Sequence, residues 1–171
     1  MSYSEARPYN GAEIDVRTAA LVIAGLSLAA LAGAWAFQLG GYAPCSLCLD
    51  ERIPYYAAVP GGLAAAFLAR SLPRLAALIL AALALAFLWN AGLSLYHAGA
   101  EWHFWAGPET CTGSVLKPTS LSESLKHNNA VRCDVAALRI LGLSLAGYNV
   151  LLSAALAATG ALAAWRGLRR A

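Results

Sequence analysis

The chain is expected to fold as an all-α integral membrane four-helix bundle, with its two cysteine-bearing loops on the side of the bilayer opposite both termini. Three observations carry this expectation. Hydrophobic residues make up 60% of the 171 residues and charged ones only 12%, about half the roughly 25% charged of a soluble domain. Four long apolar runs are separated by polar turns or loops. Lys and Arg are distributed unequally between the two sets of connections. The length suits one membrane domain over residues 1–171. A net charge of +3, dispersed along the chain, argues against a nucleic-acid partner and leaves membrane lipid as the surroundings of the apolar surface.

Residues 1–17 form a polar tail with Glu5, Arg7, Glu13, Asp15 and Arg17. The first span, 18–38, carries no charge, and 21 helical residues at about 1.5 Å each cover roughly 31 Å, enough for a hydrocarbon core. Ala32-Gly33-Ala34 resembles a signal-peptidase site. However, the apolar run exceeds a typical signal core and acidic residues precede it, so an uncleaved helix is expected. A loop over residues 40–52 leads to the second span, 53–70, where Pro54 and Pro60 should bend the helix. After the basic turn Arg70-Ser71-Leu72-Pro73-Arg74, the third span covers 75–96, with Asn90 as its polar member.

The polar stretch 97–136 opens with His97 and the interfacial aromatics Trp102, Phe104 and Trp105. Ser120-Leu121-Ser122-Glu123 has capping-box spacing. It predicts a short amphipathic helix through Leu125, with Leu121 and Leu125 as its apolar stripe. The fourth span, 141–165, is longer than a perpendicular crossing needs and should tilt. Its Asn149 is expected to hydrogen-bond between helices, and its many Ala and Gly residues permit close packing.

Orientation follows from Lys and Arg. The tail, the 70–74 turn and the C-terminal end hold seven: Arg7, Arg17, Arg70, Arg74, Arg166, Arg169 and Arg170. The other two loops hold Arg52, Lys117, Lys126, Arg132 and Arg139, five over much more sequence. The positive-inside rule then puts both termini in the cytoplasm and all four cysteines outside, where disulfides persist.

The chemistry concentrates in Cys45-Ser46-Leu47-Cys48-Leu49-Asp50-Glu51-Arg52. If a helix begins near the cysteines, Cys48 and Arg52 lie one turn apart, and both the helix terminus and the guanidinium favour thiolate. A Cys-x-x-Cys ring closes a short loop, gains little stability and tends to be redox-active. A structural disulfide or half a zinc site remains the alternative. Zinc would need Cys111 and Cys133, 22 positions apart, to fold back onto the first pair, so no metal is expected. Arg52 opposes the charge bias where a helix enters the membrane. It either snorkels, pairs with Asp50 or Glu51, or acts with His97 at a similar depth.

These motifs together resemble the disulfide bond formation protein B (DsbB) family of the bacterial inner membrane. The family's Cys-x-x-Cys-x-x-Glu-Arg is matched by Cys45, Cys48, Glu51 and Arg52. Tyr96-His97 stands at the family's histidine, Gly107-Pro108 precedes Cys111, and Cys133-Asp134 leads into Gly142-Leu143-Ser144-Leu145-Ala146-Gly147-Tyr148-Asn149. The resemblance implies a quinone-dependent oxidase, using ubiquinone or menaquinone, that reoxidises a periplasmic thioredoxin-like dithiol protein, DsbA or a relative. It implies catalytic cysteines Cys45, Cys48, Cys111 and Cys133, with electrons passing from a Cys111–Cys133 disulfide to Cys45–Cys48. It also implies quinone binding by Arg52 and His97, with Cys48 as the thiolate that meets the quinone. The prolines of the second span and the loop between Cys111 and Cys133 depart from the family pattern. Two other functions fit four helices and two cysteine pairs: a thiol–quinone enzyme of the vitamin K epoxide reductase kind, and a non-enzymatic membrane scaffold stapled by disulfides.

Overall fold

The computed structural model describes residues 15–108 and 132–170. Cys111 and the short helix expected from Ser120 lie outside them. Among the described residues the chain forms α1 (Val16–Leu39), α2 (Ser46–Asp50), α3 (Ile53–Leu68), α4 (Pro73–Glu101), β1 (Arg139–Ile140), β2 (Leu143–Ser144) and α5 (Leu145–Arg170). Three of these helices, α1, α4 and α5, are long and apolar enough to cross a membrane. The second expected span is shorter than that. α3 has 16 residues, about 24 Å of helix.

Pro54 explains the division between α2 and α3. It stands in the first turn of α3, where its missing N–H costs nothing, but in a continuous helix it would have left the Asp50 carbonyl without a donor. The chain therefore closes α2 with a tighter bond, Arg52 N–H to the Leu49 carbonyl at 3.1 Å, and restarts with Tyr56 N–H on the Arg52 carbonyl. The interruption falls on Glu51-Arg52, which frees two charged residues at the mouth of the bundle.

The largest interface is α4 against α5, followed by α1 against α3 and α3 against α4. Small residues line these seams, with Ala19, Ala20, Ala58, Ala65, Ala76, Ala163 and Ala164 buried around Ile23, Leu80, Phe87 and Leu156. A Cβ on Gly62 would stand 2.8 Å from the Ala20 carbonyl oxygen, so that position sets the α1–α3 approach. Large apolar side chains face outward instead, among them Leu85 at 68% exposed and Leu88 at 62%. That inversion of the soluble pattern identifies the outer surface as one that faces lipid.

Two boundaries differ from the sequence expectation. α4 runs on past Tyr96 to Glu101, so His97 sits one turn inside a helix rather than at the start of a loop. The fourth apolar run does not become helical until Leu145. Its first residues, Leu141 and Gly142, are the turn of a two-stranded antiparallel hairpin pairing Arg139 with Ser144 and Ile140 with Leu143. Both turn residues have positive φ, 51° and 84°, the conformation a two-residue hairpin turn requires and which Gly142 supplies without strain. Arg139 anchors the hairpin to the end of α4, its guanidinium 5.2 Å from the Trp102 ring centre and bonded to the Glu101 carbonyl.

Candidate redox site at the mouth of the bundle

Cys45 is the N-cap of α2, and its Sγ accepts the Cys48 backbone N–H at 3.2 Å. Cysteine is taking the capping role usually given to serine or aspartate. Cys45 is buried and Cys48 half-buried, both as free thiols. In this geometry the proton preference is unequal and runs opposite to the sequence expectation. The Cys45 thiol is held below its ordinary 9.0, chiefly because the Cys48 side chain donates to it, with the Cys48 backbone adding a further bond against the effect of burial. Cys48 is pushed far upward by giving its proton to Cys45, and further by burial and by the Cys45 charge. Of the two thiols, Cys45 is the one this geometry lets ionise more readily.

His97 reaches the pair from α4, with Nε2 3.7 Å from Cys45 Sγ. Its other nitrogen, Nδ1, lies 2.8 Å from Glu51 Oε1, a contact that fixes Nδ1–H and turns the Nε2 lone pair toward the cysteine. Glu51 is buried, and its second oxygen accepts from Asn149 Nδ2 at 3.0 Å. Behind it runs a chain of hydrogen bonds with a single direction. Asn90 Nδ2 donates to Ser153 Oγ, Ser153 and Tyr55 share a bond of 3.0 Å, and the Tyr55 hydroxyl donates to Asn149 Oδ1. Because Tyr55 spends its proton on Asn149, Ser153 must be the donor to Tyr55. Every proton in the chain then points toward Asn149, whose amide passes donors to Glu51 and to Ser94 Oγ at 2.7 Å. Glu51 thus receives one hydrogen bond at each oxygen, from His97 and from Asn149.

Arg52 is half-buried, and its Nη1 donates to Gln38 Oε1 of α1 at 3.0 Å. It pairs with neither Asp50 nor Glu51 among the described residues. Arg52, His97, Cys45, Cys48, Glu51 and Glu101 share a cavity of about 750 Å³ whose remaining lining, mostly from α1, α5 and the adjoining loops, is largely apolar. A largely apolar chamber with a few convergent polar groups has the ordinary character of a small-ligand site.

Cys133 is disulfide-bonded and buried, and it packs in one apolar cluster with Cys45 and Leu47. The fold thus brings together five of the six site residues expected from sequence. The sixth, Cys111, lies outside the described residues. Asn149 makes the interhelical hydrogen bonds expected of it, but reasoning from sequence missed Glu51 as the partner of His97, along with Tyr55 and Glu101 around it and Gln38 beside Arg52. An available signal was charge in an apolar setting, since Glu51 and Glu101 both border membrane runs, where buried carboxylates need a purpose.

Comparison with known proteins agrees with this arrangement. The family model for Disulfide bond formation protein DsbB matches residues 16–163. The chain is 29% identical over 139 residues to Uncharacterized protein RP370 of Rickettsia prowazekii (strain Madrid E), covering 78% of each chain. No solved structure matches. Three apolar helices, a reduced Cys-x-x-Cys with Glu-Arg behind it and a disulfide-bonded cysteine packed against the pair thus coincide with a match across most of the chain: this is a membrane protein of the DsbB family, whose members serve disulfide bond formation.

Proposed function

We propose that the protein is a thiol:quinone oxidoreductase of the bacterial inner membrane that reoxidises a periplasmic DsbA-like dithiol protein. The observation that carries this reading is the Cys45–Cys48 dithiol, which sits between the buried Cys133 disulfide and an apolar cavity bearing Arg52 and His97. In this reading α3, entered through the Glu51-Arg52 turn, makes the second of four crossings, and the arginine count sets both termini in the cytoplasm.

The outer disulfide is Cys111–Cys133. A partner thiolate attacks it, and the partner's two thiols become a disulfide as Cys111 and Cys133 become thiols. Exchange with an oxidised Cys45–Cys48 pair then restores the outer disulfide and leaves the inner pair reduced. Cys45 is the residue of exchange because it packs on Cys133. Once Cys45 is engaged with Cys133, Cys48 no longer gives its proton to a Cys45 thiolate, and the main cause of its reluctance to ionise is gone. Cys48 is then the cavity-side thiolate beside Arg52, the role expected from sequence. When the reduced inner pair is reoxidised, His97 Nε2 takes the Cys45 proton, and Glu51 stabilises the imidazolium that results. Arg52 and His97, which both line the cavity, would hold the oxygens of a bound quinone. A bound quinone, ubiquinone or menaquinone, supplies an acceptor for the two electrons and two protons that leave the dithiol.

The test adds a reduced DsbA-like protein and quinone to purified protein and follows quinone reduction. Turnover should be lost in Cys45→Ser/Cys48→Ser. In Cys111→Ser/Cys133→Ser, oxidation of the partner should be blocked while exchange between the inner pair and quinone survives. Quinone-dependent turnover without Cys45 and Cys48 would overturn the electron path.

A further inference from the structure

The inner cysteine pair and His97 form a constellation that the electron path does not exhaust. Cys45 Sγ, Cys48 Sγ and His97 Nε2 all lie within 4.8 Å of one another. Zn–S bonds of about 2.3 Å and Zn–N bonds of about 2.0–2.1 Å at a tetrahedral angle place sulfur and nitrogen roughly 3.5 Å apart. The observed Cys45 Sγ to His97 Nε2 distance is 3.7 Å, so little movement is needed to seat an ion. Two thiols and an imidazole are a donor set that zinc favours. The imidazole is also prepared as metal-binding histidines are: Nδ1 is held by the Glu51 carboxylate at 2.8 Å, leaving the Nε2 lone pair directed at the sulfurs.

A second observation, at the same ring nitrogen, points the same way. Glu101 Oε1 is 3.8 Å from the same Nε2, and its Oε2, on a residue only 7% exposed, is buried with no hydrogen-bond partner among the described residues. An unpartnered buried carboxylate oxygen beside a histidine is costly unless a cation or proton comes to it. Glu101 lines the same cavity as the cysteines. Its negative charge would favour a divalent cation there, with water or the carboxylate completing the coordination.

We propose that the reduced Cys45–Cys48 pair and His97 form a Zn²⁺ site that exists only in the dithiol state and competes with quinone for the inner pair. Zinc binding releases the thiol protons and transfers no electrons. Disulfide closure ties up both sulfurs and so expels the ion. The redox gating rests on the reading that this pair cycles between dithiol and disulfide; the metal site itself rests on the donor geometry.

The experiment uses the full chain in detergent with Cys111→Ser/Cys133→Ser, so that no other thiols contribute. Co²⁺ serves as the spectroscopic probe and Zn²⁺ as the competitor. Reduced protein should bind one Co²⁺ per chain with thiolate charge-transfer and tetrahedral ligand-field absorption, and Zn²⁺ should displace it and protect both thiols from alkylation. Oxidised protein should show none of this. Glu51→Gln, which keeps the side-chain shape, should weaken binding about ten- to hundredfold, and His97→Ala should lose the tetrahedral spectrum while leaving Cys45 and Cys48 titratable. Equal binding by oxidised and reduced protein, or a spectrum indifferent to both His97→Ala and Glu51→Gln, would overturn the site. Zinc binding without quinone turnover would instead overturn the proposed function and leave the site standing.

Discussion

If the hydrogen bonds from Asn90 to Glu51 act as one network, Tyr55→Phe and Asn149→Leu must be coupled energetically. Tyr55→Phe keeps the ring against Phe87, at 5.1 Å between centroids, but leaves Asn149 Oδ1 without its donor and Ser153 without its acceptor. That should cost about 1–2 kcal/mol. Asn149→Leu is close in volume yet strands the Tyr55 hydroxyl, Ser94 and one oxygen of Glu51. Loss of a bond to a charged group alone is worth about 1.5–3 kcal/mol, so the total should be about 3 kcal/mol. The double variant should cost less than the sum, because both singles break the same Tyr55–Asn149 bond. Double-mutant cycles on buried bonds between membrane helices give about 0.6 kcal/mol on average and about 1.7 at most, and the coupling should fall in that range. Reversible unfolding in mixed detergent micelles, followed by tryptophan fluorescence, measures it. Additivity within about 0.3–0.5 kcal/mol would mean that the two residues act independently and would refute the network.

If Arg52 holds a quinone oxygen as proposed, Arg52→Lys should weaken apparent quinone affinity and Arg52→Ala or Gln should weaken it about ten- to hundredfold, because a planar fork already bonded to Gln38 can offer a second donor to a ligand in a way an ammonium does not. Steady-state kinetics against quinone concentration checks this, and unchanged dependence in well-inserted Arg52→Ala would return the residue to anchoring. Titration of the reduced protein by thiolate ultraviolet absorbance, in the Cys111→Ser/Cys133→Ser background, should show one thiolate persisting as pH falls below 9.0, since the Cys45 value is lowered. Cys48→Ala removes the donor and should move that midpoint upward; a midpoint that stays put would show that the Cys48 thiol is not its cause. Membrane-impermeant thiol reagents, applied after reduction to intact spheroplasts, should label cysteines from the periplasmic side, and labelling that requires opening the cytoplasmic face would overturn the orientation.

The long helices were legible because a charge-free run in a 60% hydrophobic chain has few other structures open to it. Pro54 was legible as a disturbance, though not as the point where α2 and α3 part. The hairpin at 139–144 was hidden by composition. Leu141-Gly142-Leu143 reads as the start of an apolar run, and Leu-Gly carries little of the Asn-Gly turn signal. His97 was found by type and position, but its partners were not. Glu51 was weighed against its neighbour Arg52, whereas the fold joins it to His97, 46 positions away, and to Asn149, 98 away. Arg52 turned instead to Gln38, the last polar residue of the first run. Local spacing sees charges along one helix. It does not see which helices meet.

The reversal between Cys45 and Cys48 has the same origin and can be weighed. The sequence argument used two long-range effects, a helix terminus and a guanidinium four residues on, which favour Cys48. A terminal helix charge is worth about 0.3–1 kcal/mol at best, and a helix of five residues falls at the low end. A charge-assisted hydrogen bond is worth about 1.5–3 kcal/mol. Cys45 as N-cap receives two, from the Cys48 backbone N–H and from the Cys48 thiol, whereas the structure aims the Arg52 guanidinium at Gln38. The direct bonds win, and they win only while both thiols are reduced and facing each other. Any step that engages Cys45 elsewhere removes a donor's target and lowers the obstacle to ionising Cys48. Which of the two sulfurs ionises more readily therefore depends on what Cys45 is bonded to, a dependence that neither cysteine's local sequence contains.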